Sequence, residues 1–190
     1  MKIGTPKEVF EGEARVAMTP DSALQLQKLG HECYVETGAG SLAGFSDAAY
    51  EEAGVTVIKT AAALWKEVDI IAKVRPPSET EIKRLGPSKT LISFFYPASN
   101  EELMNLAAEK GASVIAMDMV PRITRAQAMD SLSAMSTVSG YKAVLLAATQ
   151  LGKFCPMLMT AAGTIRPSRV LILGAGVAGL TAIGTARRLG

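Results

Sequence analysis

Near the middle of the chain, the stretch "VPRITRAQAMDSLS" sets polar side chains among small apolar residues, directly after "ASVIAMDM", an apolar run typical of a buried strand. The polar residues that stand out are Arg122, Gln127, Asp130 and Ser133. Such a set could hold a polar ligand. It could also begin a helix, because Thr124 and Gln127 have the spacing of a capping box and the helix dipole would favour Asp130. The residue types alone leave both interpretations open.

A second candidate for chemistry is "RVLILGAGVAGL", in which Gly174, Gly176 and Gly179 have the spacing G-x-G-x-x-G. The motif follows the predicted strand "RVLIL" and precedes the helical run "LTAIGTARRLG", the context in which this spacing binds a dinucleotide. The first glycine permits a tight turn, the second lets a pyrophosphate approach the backbone, and the third lets helix and strand pack closely. Glycines at such turns also occur for packing alone. In this context we expect dinucleotide binding, with phosphate at the helix N-terminus and Val177 beside the ligand.

A complete dinucleotide site of this kind needs further parts. It has a second strand and an acidic residue roughly 20 positions after the glycines, which holds the ribose hydroxyls. The sequence stops at Gly190, before that position. We therefore expect the chain to be a fragment with an incomplete dinucleotide domain.

Six short apolar runs alternate with helical patterns ahead of these motifs. The predicted strands cover residues 2–5, 32–36, 55–58, 69–73, 90–95 and 112–117. The helical segments between them, such as "SDAAYEEAG" and "SNEELMNLAAEKG", open on a capping residue and close on glycine. This alternation predicts a parallel sheet with helices on its faces.

The predicted fold class is α/β, with a Rossmann-like parallel-sheet domain followed by the first βα unit of a second, incomplete dinucleotide-binding Rossmann domain. We expect the N-terminal α/β domain to span residues 1–135 and a linking helix and loop to span 136–167. The start of the second Rossmann domain then covers 168–190. Pro156, Gly163 and Pro167 punctuate the predicted loop.

The composition is that of an ordinary soluble globular protein, with 48% hydrophobic residues, 20% charged residues and a net charge of +2. The sequence contains no basic block with interleaved aromatic residues, so nothing in it indicates nucleic-acid binding. The single histidine and the distant Cys33 and Cys155 offer no plausible metal site. Cysteine usage and the N-terminal sequence indicate a reducing, cytosolic setting.

Three segments, in their order and separation, carry a family resemblance. They are "MKIGTPKEVFEGEARVAMTP", "VPRITRAQAMDSLS" and "TAAGTIRPSRVLILGAGVAGL". Together they resemble the family of alanine dehydrogenases and proton-translocating nicotinamide nucleotide transhydrogenases, over essentially the whole chain. The middle segment is the most specific, and it looks like the transhydrogenase alpha subunit.

The resemblance implies roles for the polar residues of the middle segment, whose counterpart in the family closes over the nicotinamide end of NAD(H). Gln127 would orient the nicotinamide for hydride transfer, and Asp130 would be the second catalytic residue. Arg122 and Ser133, with Asp130, would fix the carboxamide and ribose. The remaining NAD contacts implied by position are Ala128 and Met129.

Two activities of the family differ in the residues they require. Arg15 and Lys73 occupy positions that bind the substrate carboxylate and carbonyl in alanine dehydrogenases. Amino-acid oxidation also needs a proton acceptor near neutral pH, usually a histidine. The family's histidine is replaced here by Tyr96 or a neighbouring phenylalanine, and His31 lies in a predicted turn. The sequence therefore favours the transhydrogenase, which takes no proton from a substrate.

The resemblance also implies partners. NADP(H) would bind a partner component, a membrane component would carry the proton channel, and the chain would form a homodimer in a complex at the inner membrane. The alternatives left open are an alanine dehydrogenase-like oxidoreductase and a non-catalytic adaptor on a Rossmann-like scaffold, since fold does not fix function.

Overall fold

Six short strands form one parallel sheet in the computed structural model, which describes all residues from Met1 to Gly190. Every neighbouring pair is parallel, and the strand order is β3-β2-β1-β4-β5-β6. The six predicted strands are confirmed, to within two residues at each end. Their bounds are β1 Lys2–Thr5, β2 Glu32–Glu36, β3 Thr56–Ile58, β4 Ile70–Ala72, β5 Thr90–Ser93 and β6 Ser113–Ala116.

Five helices connect these strands, and local side chains fix where most of them begin. Thr19, Ser46, Thr60 and Ser78 each accept a hydrogen bond from a backbone N–H of the first helical turn, as expected of N-cap residues. The helices are α1 Pro20–Lys28, α2 Asp47–Glu52, α3 Ala61–Glu67, α4 Glu79–Ile82 and α5 Glu101–Glu109.

Two hydrophobic clusters stabilise this part of the chain, residues Met1–Val120, which forms one compact unit. The larger cluster joins β4 and β5 to α3, α4 and α5, and contains Trp65, Ile71 and Leu91. The second joins β2 to α1 and α2 around Tyr50 and Val35. Burial of these side chains is the main force that holds the helices on the sheet.

Residues Pro121–Gly190 form the other compact unit. It contains the long helix α6 Ser131–Gln150, the antiparallel hairpin of β7 Leu158–Thr160 and β8 Gly163–Ile165, and helix α7 Val177–Arg188. Helices α6 and α7 pack against each other. No helix of the chain combines the length and the apolar character that a membrane span requires.

The structure differs from the sequence prediction at three places in this second unit. Helix α6 begins at Ser131 rather than at 136, because Asp130 caps it. The expected loop contains the β7–β8 hairpin, which turns at residues 161–162 and continues into Gly163, whose φ is 136°. The predicted strand "RVLIL" is not formed, because no neighbouring strand is present to share a hydrogen-bond ladder.

Candidate functional site

The start of α6 is organised by Asp130 and Ser133. The Asp130 carboxylate accepts hydrogen bonds from the Ser133 backbone N–H at 2.9 Å and from the Ser133 Oγ at 2.5 Å. These two bonds, with a smaller contribution from the positive charge of Arg122, lower the pKa of Asp130 below its ordinary value. The carboxylate is therefore ionised at neutral pH and can act only as an acceptor.

The residues just before α6 form a short 3₁₀ helix, Thr124–Met129. Ile123 occupies its cap position and no side chain caps it, so the capping box predicted for Thr124 and Gln127 is not formed. The cap is made at Asp130 instead, at the start of the longer helix. The exposed amide of Gln127 is consequently not used to satisfy the backbone.

The polar side chains of this segment converge on one cleft, with a volume of about 470 Å³. This volume lies within the range of small-molecule sites, roughly 300–1,000 Å³. Its lining combines a cation, an anion, an amide and hydroxyl groups with two apolar side chains. The lining residues are Arg122, Gln127, Asp130, Ser133, Ala134, Thr137 and Val177.

The glycine turn leads into this cleft through Val177, the first residue of α7. Gly174 has a φ of 106°, a conformation that strongly favours glycine. A Cβ on Gly179 would overlap the carbonyl oxygen of Gly174, so this glycine lets the helix pack on its own turn. Gly176 has open space where a Cβ would be, and no side chain caps the helix there. The first N–H groups of α7 thus have no side-chain cap, and the backbone at Gly176 can be approached closely.

The structure brings together most of the residues predicted for the site, but not all of them. Arg122, Gln127, Asp130, Ser133 and Val177 share the cleft, and the three motif glycines flank Val177 in the turn and helix. The predicted contacts Ala128 and Met129 do not line it; both are exposed in the 3₁₀ helix.

Sequence reasoning missed two lining residues, Ala134 and Thr137. Both lie on the same face of α6 as Asp130 and Ser133, because helical residues three, four and seven positions apart are neighbours on the surface. Their spacing from Asp130 was the signal that could have identified them.

The two cations considered for substrate binding lie in the first compact unit, and carboxylates of the chain pair with both. The side chain of Lys73 is fully buried and donates to Glu81 at 2.9 and 3.0 Å, with Glu8 at 3.6 Å. Burial raises the pKa of Glu8, although Lys73 and two backbone N–H groups oppose the shift. The positive charge of Lys73 is thus already paired with carboxylates of this chain.

Arg15 is paired in the same way. Its guanidinium donates twice to Glu13, at 2.7 and 2.6 Å, and Arg75 donates to the same carboxylate at 2.7 Å. The hydrogen bonds from Arg15 are the largest cause that lowers the pKa of Glu13 to about 2. Tyr96 follows β5 with a left-handed φ of 51°, and its ring stacks on Phe94. The positions of Arg15, Lys73 and Tyr96 thus present two cationic side chains that carboxylates already bind and a tyrosine, but no histidine.

Family models match most of the chain. The alanine dehydrogenase/PNT N-terminal domain matches residues 4–139 and the corresponding C-terminal domain matches residues 143–190. The chain is 63% identical over its whole length to an NAD(P) transhydrogenase subunit alpha of Cereibacter sphaeroides, of which it covers 36%. It is 36% identical over its whole length to an alanine dehydrogenase of Halomonas elongata, of which it covers 52%.

The fold comparison agrees with these sequence matches. The crystal structure of a transhydrogenase from Sinorhizobium meliloti superposes with a TM-score of 0.94 at 43% identity, covering the whole of this chain and 57% of the other. The α/β fold with its six-stranded parallel sheet is therefore confirmed. The chain belongs to the alanine dehydrogenase/PNT family.

Proposed function

We propose that this chain is the NAD(H)-binding part of a nicotinamide nucleotide transhydrogenase, an enzyme that transfers hydride between NAD(H) and NADP(H). The observation that carries the proposal is the single cleft shared by Arg122, Gln127, Asp130, Ser133 and Val177. Its volume suits a nucleotide fragment, and the glycine turn beside it offers free backbone N–H groups to a pyrophosphate.

The groups in the cleft have the chemistry to fix a nicotinamide and its ribose. The ionised Asp130 can accept hydrogen bonds from hydroxyl or amide N–H groups, and Gln127 can both donate and accept. Arg122 offers a planar donor fork. In the proposed arrangement Gln127 orients the ring while Arg122, Asp130 and Ser133 hold the carboxamide and ribose. Ala128 and Met129 are not part of the proposed site, because they lie outside the cleft lining.

The work of these residues is positioning. When bound, the two nicotinamides supply the chemistry, since a hydride passes directly from the reduced to the oxidised ring. No protein group has to take a proton from a substrate. Holding the reacting groups in a near-attack geometry can be worth several orders of magnitude in effective molarity. A rigid helix start and a turn fixed by glycines are suited to that task.

The proposed partners come from the relatives. The relative from Cereibacter sphaeroides is named as subunit alpha, and this chain spans 36% of its length. We propose that these residues act within a subunit of that kind, as a homodimer in a membrane-associated complex. The partner component binds NADP(H), and a membrane component couples hydride transfer to proton translocation.

Binding is tested by titrating the intact subunit with NADH and following nucleotide fluorescence. Arg122→Gln is expected to weaken binding by about tenfold, because a charged hydrogen-bond donor contributes roughly 1.5 kcal/mol or more. Gln127→Asn, which withdraws the amide by one methylene, should weaken it by a similar factor. Arg125→Gln is the matched control for Arg122→Gln, since Arg125 is exposed on the adjoining 3₁₀ helix but does not line the cleft.

The outcomes separate the proposal from its alternatives. An intact subunit that does not bind NADH would favour the non-catalytic adaptor. Binding that is equally insensitive to Arg122→Gln and Arg125→Gln would place the nucleotide elsewhere and refute the proposed cleft.

A further inference from the structure

Helix α6 contains a glycine, Gly140, that packs directly on the backbone of the first turn of α7. Gly140 is buried, and a Cβ at this position would overlap the carbonyl oxygen of Ala178. The same Cβ would lie 2.9 Å from the carbonyl carbon and 3.0 Å from the Cα of Ala178. All three atoms belong to the backbone, so no change of rotamer could relieve the overlap. Any side chain at Gly140 requires α7 to move away.

This contact lies directly beside the proposed nucleotide site. Ala178 follows Val177, the residue of α7 that lines the cleft. On α6, Gly140 comes one helical turn after Thr137, which also lines the cleft. Because residues three or four apart share a helix face, the cleft residues of α6 and Gly140 follow one another along the same face. The helix contact therefore adjoins the residues of both helices that line the cleft.

Glycine is a costly choice for this position unless the contact requires it. It is the poorest helix former after proline, and Gly140 lies in the interior of a 20-residue helix. Gly184, in the interior of α7, gives the comparison within the chain, because open space lies where its Cβ would be. Of these two glycines, only Gly140 has the backbone of a neighbouring helix where a side chain would lie.

We propose that Gly140 is a positioning residue for the dinucleotide site. By letting the first turn of α7 reach backbone contact with α6, it sets the distance between the polar side chains of α6 and the glycine turn. A ligand that spans both sides of the cleft depends on that distance. A ligand that contacts the glycine turn alone does not. The inference rests on the proposed nucleotide site and extends it to a residue that would not touch the ligand.

The test compares two ligands on the intact subunit by titration calorimetry. NADH carries both the nicotinamide and the pyrophosphate, whereas ADP carries the pyrophosphate without the nicotinamide. Gly140→Ala is expected to weaken NADH binding by about tenfold, because α7 must move to accommodate the Cβ and the ligand then loses hydrogen bonds on one side of the cleft. ADP binding should stay within about twofold of the unsubstituted subunit. Gly184→Ala, the matched control, should leave both affinities unchanged.

Three results would overturn the inference or its basis. Unchanged NADH affinity in Gly140→Ala would show that the helix contact does not set the site. Equal loss of NADH and ADP affinity would indicate a merely structural role. Failure of the unsubstituted subunit to bind NADH would refute the proposed function itself. If the Gly140→Ala variant does not fold, a double variant that also carries Gly184→Ala is used for the same comparison. The second substitution stabilises α7 away from the contact.

Discussion

At the scale of single residues, Asp130 shows that a helix cap and a ligand contact are not exclusive interpretations. A carboxylate offers about four lone-pair sites. The backbone N–H and the hydroxyl of Ser133 use two of them, one on each oxygen. The remaining sites are available on a side chain that lines the cleft. Capping holds the carboxylate in place, and its ionised state makes it a strong acceptor.

Substitutions at Asp130 should therefore separate stability from binding. Asn is about as good an N-cap as Asp, so Asp130→Asn should leave the melting temperature nearly unchanged while it weakens NADH binding by about tenfold. Asp130→Ala should lose the cap as well and therefore lower the melting temperature. Thermal unfolding and NADH titration measure the two effects. Equal NADH affinity in the Asn variant and the unsubstituted protein would contradict a binding role for the charge.

At the scale of elements, buried charges connect the segments that follow the central strands. Glu8 lies beyond β1, Lys73 directly follows β4, and Glu81 belongs to α4. Without Glu81, the buried ammonium of Lys73 would keep only Glu8 at 3.6 Å and would lose two short charge-assisted hydrogen bonds, which costs several kcal/mol. The pair of Lys73 with Glu81 is therefore expected to stabilise the fold.

Glu81→Gln tests this cluster without disturbing the helix cap, because glutamine also serves at the third position of a capping box. Glu81 forms such a box with Ser78. We expect the substitution to lower the free energy of unfolding by about 3 kcal/mol, measured by urea denaturation. Glu79→Gln, at an exposed position of the same helix, should change it by less than about 0.5 kcal/mol. A similar change in the free energy of unfolding for both variants would show that the ion pair of Lys73 with Glu81 does not stabilise the fold.

At the scale of the whole molecule, the ion pairs bear on which reaction the family member performs. A 2-oxo acid substrate needs a free cation for its carboxylate, but Glu13 pairs with Arg15, and Glu8 and Glu81 pair with Lys73. The position expected to hold a general acid and base carries Tyr96 or a neighbouring phenylalanine. These features favour the hydride exchange between nucleotides that we propose over amino-acid oxidation.

The intact subunit is therefore expected to give no NADH oxidation above background when pyruvate and ammonia are added. Together with its partner component, it should transfer hydride from NADPH to an NAD⁺ analogue whose reduced form absorbs at a distinct wavelength. The second assay controls for inactive protein. Steady turnover of pyruvate and ammonia would refute the proposed reaction in favour of an alanine dehydrogenase.

Most of the fold of the first unit could be predicted from the sequence, because strand alternation, caps and glycine stops act over a few residues. The six strands were located in this way. Local signals were less reliable where a cap had to be chosen. The spacing of Thr124 and Gln127 suited a capping box, but in the structure Asp130 caps the longer helix. The strand "RVLIL" was predicted from its composition, but a strand also needs a partner.

The sequence by itself determined which residues could do chemistry: the polar set around Asp130 and the glycines from Gly174 onward. Only the tertiary structure decided that Val177 joins that set in one cleft, and that Gly140 admits the backbone of α7 beside it. It also decided that the cations are already paired, as the contacts of Lys73 show. The physical reason is that turns and caps are local, whereas a cleft, a helix contact and a buried ion pair require residues far apart in the chain to meet.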